Sequence, residues 1–349
     1  MTRRAVVICP GRGTYNRAEL GYLARHHAGA PFLPVFDDRR AAEGQETLTA
    51  LDGAARFSAK TYARGDVASP LIYASSLLDA RTLAGDVEVV AVTGNSMGWY
   101  TALAVAGAVT PEGGFEVVNT MGRLMHEHMI GGQLVYPVVD ADWRDDPARR
   151  AALLAQVAEI DARAGCRLGL SIALGGMLVL AGNEAGLSAF EAAVPTVEGR
   201  FPMRLPGHAA FHTDMQASVA EAGRAALPRD LFGAPERPVI DGRGRIWWPH
   251  GTDRAALHDY TLGAQVITPY DFTRAITVAA REFAPDLFIV TGPGTTLGGA
   301  VAQSLILAGW QGMTCKADFE EAQNARGLLA AMGRDDQRRD VICRKGDRT

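Results

Sequence analysis

Two short apolar runs frame the chain. Residues 5–9 carry no polar side chain, and residues 87–93 form a β-branched run whose one charge, Glu88, lies near its start. Neither run alternates, so each reads as a strand buried on both faces, as in a parallel sheet covered by helices. Residues 238–240, 286–291 and 312–316 read as further strands of the same body, the second punctuated by Gly292-Pro293-Gly294. Helices are predicted over 70–78, opened by Pro70, over 113–129, and from His212 to about Ala226. The pattern changes character near Gly131-Gly132. Residues 133–139, 167–172, 177–182 and 200–205 read as strands, with helices over 146–164 and 184–194. That βαββαβ order is ferredoxin-like, so residues 132–204 are expected to form a small inserted subdomain. Residues 1–131 and 205–349 then make the large α/β catalytic subdomain. The charged tail after Met332 is expected to fray.

Composition narrows the class. A chain of 349 residues with 48% hydrophobic and 21% charged positions can bury a large core. A net charge of −4 argues for neither nucleic acid nor an anionic membrane as partner. The four cysteines, Cys9, Cys166, Cys315 and Cys343, lie far apart, which suits buried or free thiols in a reducing cytosol rather than metal ligands or bridges. No apolar run nears the ~20 residues of a membrane span. A soluble cytoplasmic protein is expected.

The candidate chemistry lies after the strand at 87–93. Gly94-Asn95-Ser96-Met97-Gly98 follows at once, and an Ala/Leu-rich helical segment follows that. Strand, G-x-S-x-G, helix is the setting of a nucleophile elbow, in which small residues two before and two after the Ser let strand and helix pass. The Ser hydroxyl then stands over a helix N-terminus, where free N–H groups favour developing negative charge. An ordinary Gly-rich turn would also fit the motif alone. A Ser nucleophile needs a base. His26 and His27 sit in a polar helix, His126 and His128 late in a helix, and His250 and His258 in polar loop-like sequence. His212 follows a Pro-Gly-x-Ala-Ala-Phe stretch and is preferred to His208, which spacing leaves open.

Five separated stretches together resemble the acyl-CoA:acyl-carrier-protein acyltransferase family, which includes malonyl-CoA:ACP transacylases and polyketide synthase acyltransferase domains. Pro10-Gly-Arg-Gly13 is similar to its P-G-Q-G loop, and Gly94-Asn-Ser-Met-Gly-Trp-Tyr-Thr-Ala-Leu103 to G-H-S-L-G-E-Y-T-A-L. Met121-Gly-Arg-Leu-Met125 resembles R-G-x-L-M, Ala210-Phe-His-Thr-Asp-Met215 resembles A-F-H-[ST]-x-x-M, and Gly292-Pro-Gly-Thr-Thr-Leu297 resembles G-P-G-x-x-L. Their order and spacing match over about residues 5–320, including the ferredoxin-like insertion. The resemblance implies an α/β-hydrolase-like core with a mostly parallel sheet. It implies Ser96 as nucleophile and His212 as base, the latter oriented by a main-chain or side-chain oxygen rather than an Asp. Gln265, in Gln265-Val-Ile-Thr-Pro269, fits the family's Q-x-x-x-P segment beside the site. The oxyanion donors would be the N–H groups of Met97 and Arg12. Acyl-CoA and an acyl carrier protein would be the partners, in a ping-pong reaction. No metal and no redox or nucleotide cofactor is expected, since Pro10-Gly-Arg-Gly13 lacks the spacing of a phosphate loop.

Four departures gather around the implied acyl pocket. Met121 stands where the family has the Arg that pairs with a malonyl carboxylate. Arg12 replaces the Gln of P-G-Q-G. Asn95 and Trp99 replace the His and Glu that flank the family's Ser. Ser171-Ile-Ala-Leu-Gly-Gly176 replaces an Asn-rich N-x-P stretch. Met121, Asn95, Trp99, Phe211 and Ser171 are therefore the expected acyl-pocket residues. A carboxylate buried against Met121 would lack a partner, so an uncharged acyl group is expected. The alternatives are an acyl-thioester hydrolase of the same fold, malonyl transfer with Arg12 or Arg123 compensating, and a non-catalytic carrier-protein or CoA-binding module. A serine esterase with its His late in the chain fits less well, because His212 precedes most of the C-terminal strands.

Overall fold

The computed structural model describes residues 2–342. Eleven strands form two sheets among those residues. The larger sheet holds β1 (Arg3–Cys9), β2 (Val87–Gly94), β7 (Val239–Ile240), β8 (Ile246–Trp247), β10 (Leu287–Val290) and β11 (Leu329–Ala331), in the order β11-β10-β1-β2-β7-β8. All neighbours run parallel except β8, which turns back on β7. Residues 5–9 of β1 have no exposed surface, as an unbroken apolar run in a parallel sheet requires.

The smaller sheet holds β3 (Gly132–Pro137), β4 (Leu168–Leu174), β5 (Met177–Gly182) and β6 (Met203–Arg204). Helices Pro147–Asp161 and Glu184–Ala193 supply the two crossovers. The spatial order β6-β3-β5-β4 is ferredoxin-like, as expected. One strand comes from outside that unit. β9 (Tyr270–Asp271) returns from the larger body and pairs parallel with β4 through Ile172 and Ala173. The smaller sheet is thus sewn to the rest of the molecule along one edge.

Several local readings are corrected. Pro70 lies inside helix Gly65–Ala80, not at its start. The ring cannot donate to the carbonyl of Asp66 four residues back. Arg40 does so instead, its Nη1 lying 2.9 Å from that oxygen, and the helix continues. The strand expected over 312–316 is absent. Gly309, Gln311 and Gly312 take positive φ values, giving a 3-10 turn at Trp310–Gly312 and then helix Lys316–Arg326. The tail does not fray as far as it is described: helix Asp335–Arg339 buries Arg338, whose Nη1 lies 2.6 Å from Asp79. The same carboxylate, wholly buried, accepts from Tyr22 at 2.7 Å and meets His27 at 2.7 Å, so His27 belongs to the core and not to a polar helix. His258 is likewise buried, in helix Arg254–Asp259 rather than a loop. Residues 343–349, with Cys343, lie outside the described residues.

Candidate active site

Ser96 sits at the turn between β2 and helix Gly98–Val105 with φ of 55°, in the left-handed region that a non-glycine residue enters only under constraint. The flanking glycines show the constraint. A side chain on Gly94 would collide with the Gly98 carbonyl, and one on Gly98 with the Cys9 carbonyl of the neighbouring strand. Tyr270 fixes the end of β2 by donating its hydroxyl to the Gly94 carbonyl at 2.6 Å. The first loop packs on the same turn. Asn95 donates its N–H to the Cys9 carbonyl at 2.9 Å, and a Cβ on Gly11 would lie 2.5 Å from the Asn95 oxygen.

The structure brings His212 to this Ser. Its Nε2 lies 2.7 Å from the Ser96 Oγ, and its Nδ1 lies 2.7 Å from the main-chain carbonyl of Gln265. The carbonyl fixes the tautomer: Nδ1 carries the proton and Nε2 is free to accept from the hydroxyl. Burial pushes the imidazole down to about 4, against the opposing pull of the Gln265 carbonyl, so it is a neutral base at ordinary pH. Gln265 does more than orient the ring. Its Nε2 donates to the Ser96 carbonyl at 3.0 Å, and its Oε1 accepts from the Tyr100 hydroxyl at 3.1 Å. Among the described residues, the N–H groups of Met97 and Arg12 donate to no backbone carbonyl, which leaves both available to an oxyanion.

No family model matches the chain. It is similar along most of its length to the malonyl CoA-acyl carrier protein transacylase of Salmonella typhimurium, with 26% identity over 304 residues that span 86% of this chain and 92% of that protein. The malonyl-CoA:ACP transacylase of Synechocystis superposes with a TM-score of 0.72 at 16% identity, over 97% of this chain and 100% of that one. A malonyl-transacylase solved in complex with a type II polyketide synthase acyl-carrier protein gives 0.72 at 18% identity, over 98% and 99%. Relatives, fold and five ordered motifs agree. The chain is thus similar, in sequence and in fold, to malonyl-CoA:acyl-carrier-protein transacylases.

The remaining expected residues fall in different places. Met121 is wholly buried and wedged under helix Ala217–Ala226, where a Cβ on Gly223 would lie 2.6 Å from its sulfur. Trp99 is wholly buried too, donating to Thr261 Oγ1 at 3.0 Å and standing edge-on to Tyr260, so it serves the core beneath the elbow. Asn95 is buried with its Oδ1 unpartnered. Phe211 is buried beside His212, with the Arg12 guanidinium 5.3 Å from its ring centre. That guanidinium donates to the carbonyls of Ala63 and Gly207, while its Nε and Nη1 have no protein partner; burial lowers it to about 10. Beside it lies a cavity of about 230 Å³ lined by Arg12, Tyr15, Tyr62, Ala68, Pro206 and His208. Arg123 pairs on the surface with Glu127 at 3.1 Å. Ser171 has no exposed surface and bonds to Gln133 and to the Phe211 carbonyl.

Sequence reasoning missed Tyr270, Tyr100 and Gln133. Tyr100 stands within the elbow motif itself, one helical turn after Ser96. The other two gave no local signal, because their partners lie far away in the chain.

Proposed function

We propose that the chain moves an acyl group from coenzyme A to the phosphopantetheine thiol of an acyl carrier protein through an ester on Ser96. The observation that carries this reading is the 2.7 Å contact between Ser96 Oγ and His212 Nε2 on a strained elbow. In the first half-reaction His212 takes the hydroxyl proton as Oγ attacks the thioester carbonyl. The oxyanion meets the N–H groups of Met97 and Arg12; the C–S bond breaks, and His212 protonates the departing CoA thiolate. In the second half-reaction the carrier thiol passes its proton to His212 and attacks the ester carbonyl; the bond from the acyl carbon to Ser96 Oγ breaks, and His212 returns the proton to that oxygen. No metal or further cofactor is needed for either half. Such chemistry belongs in the cytoplasm, where CoA thioesters and carrier proteins meet.

The acyl group is proposed to be uncharged. Met121 offers no donor where a carboxylate would need one, and Arg123 is engaged on the surface with Glu127. Arg12 is turned toward the Ala63 and Gly207 carbonyls, although its two free N–H groups make it the position at which a carboxylated acyl group would have to be met. The test is to supply acetyl-, butyryl- and malonyl-CoA with and without a phosphopantetheinylated carrier protein, and to follow acyl-carrier against free acid. Rapid acyl-carrier formation from the uncharged donors supports transfer. Free acid as the main product with the carrier present would identify a hydrolase instead. Preference for malonyl-CoA would overturn the acyl assignment and point to Arg12.

A further inference from the structure

The peptide unit joining Phe211 to His212 is held at both of its polar ends. The His212 N–H donates to the Val266 carbonyl at 3.0 Å, in the large body. The Phe211 carbonyl accepts from Ser171 Oγ at 2.8 Å, on β4 of the smaller sheet. Ser171 Oγ accepts in turn from Gln133 Nε2 at 2.6 Å, on β3, and Gln133 Oε1 lies 2.8 Å from His208 Nδ1. These links share one donor direction when His208 carries its proton on Nδ1: His208 to Gln133, Gln133 to Ser171, Ser171 to the Phe211 carbonyl. Successive bonds polarised in one direction strengthen one another where water is excluded. Gln133 and Ser171 are both buried.

The geometry gives this chain a task. His212 has φ of 58°, in the left-handed region, which costs about 1–2 kcal/mol for a residue with a Cβ and persists only where the surroundings enforce it. Rotation at that φ is what the orientation of the 211–212 peptide sets. With one end bonded to each subdomain, the peptide cannot turn without breaking one of the two bonds. The imidazole is thereby aimed at Ser96 from one side and at the Gln265 carbonyl from the other. Ser171 has no surface with which to touch an acyl group, so its expected place in the acyl pocket gives way to this one.

We infer that Ser171, backed by Gln133 and His208, is a positioning residue for the base, and that it makes the rate of acylation depend on the seating of the smaller sheet. The inference rests on the reading of His212 as the base. It is tested by single-turnover acylation of Ser96, at saturating and limiting acyl-CoA, in the unaltered protein, Ser171→Ala, Ser171→Thr and Gln133→Met. The unaltered protein controls for the functional reading itself, since absence of acylation there would refute that reading alone. Ser171→Ala is expected to slow acylation about 10- to 100-fold, the effect of a base displaced by about an ångström, with the half-saturating acyl-CoA concentration within about twofold. Ser171→Thr, which keeps the hydroxyl, is expected to recover most of that loss. Gln133→Met leaves the Ser171 hydroxyl in place and should slow acylation less than Ser171→Ala, and it carries the test if Ser171→Ala does not fold. A change in half-saturation or acyl preference at unchanged maximal rate would make Ser171 a substrate contact and overturn the inference. Unchanged kinetics in both Ser171→Ala and Gln133→Met would overturn it equally.

Discussion

Gln265 grips both halves of the proposed catalytic pair: its main-chain carbonyl lies 2.7 Å from His212 Nδ1, and its side-chain amide lies 3.0 Å from the Ser96 carbonyl. The two contacts separate in mutation. Gln265→Ala keeps the carbonyl that orients the imidazole and loses the amide that steadies the elbow, along with the bond from Tyr100. Acylation is expected to slow about tenfold, whereas His212→Ala should cost about a thousandfold or more. Equal losses in a stopped-flow comparison would mean that the side chain, not the carbonyl, does the orienting.

The pH dependence follows from burial of the base. His212 is held down to about 4, so it stays unprotonated well below the ordinary range of histidine. The acylation rate should hold level as pH falls through 6.5 and decline only as pH approaches about 4. The same shift stabilises the fold above the unfolded value near 6.5, and that contribution is lost as pH falls toward 4. Stopped-flow acylation between pH 4 and 8 checks this, and a midpoint near 6.5 would show a solvated imidazole.

Met121 marks the acyl pocket only in the negative. Restoring the family's Arg by Met121→Arg places a long cation in a fully buried slot under Gly223. The variant is expected to lose about 3 kcal/mol or more of stability, through overpacking and an unpaired buried charge, without gaining malonyl transfer. Thermal denaturation and malonyl-CoA turnover measure both halves of the claim.

Arg40 is expected to matter more than its distance from the chemistry suggests. Its guanidinium bonds the Asp66 carbonyl that Pro70 leaves free, the Glu46 carbonyl at 2.6 Å, and Asn119 Oδ1 at 2.7 Å. Arg40→Met leaves three acceptors without this donor, of which Asn119 Oδ1 is buried, and a loss of about 1–3 kcal/mol is expected in urea unfolding.

Legibility in the sequence followed the range of each interaction. The elbow was readable because strand, Ser96 and helix are contiguous, and the ferredoxin-like order was readable because periodicity is local. Pro70 misled because the group that rescues its helix, Arg40, lies thirty residues upstream. The strand at β9 and the clamp from Ser171 to the Phe211 carbonyl depend on pairings between distant segments, and no periodicity records those. The expected acyl-pocket set divided for the same reason: motif alignment locates Met121, Trp99 and Ser171 along the chain but says nothing of what each side chain packs against.

The most direct test of the account is intact-protein and peptide-mapping mass spectrometry after brief incubation with acetyl-, butyryl- and malonyl-CoA, beside Ser96→Ala and His212→Ala. An added uncharged acyl mass is expected on the peptide bearing Ser96. The mass should be absent in Ser96→Ala and strongly delayed in His212→Ala, with little malonyl adduct. An adduct on another residue, or one that forms equally well without Ser96, would contradict it.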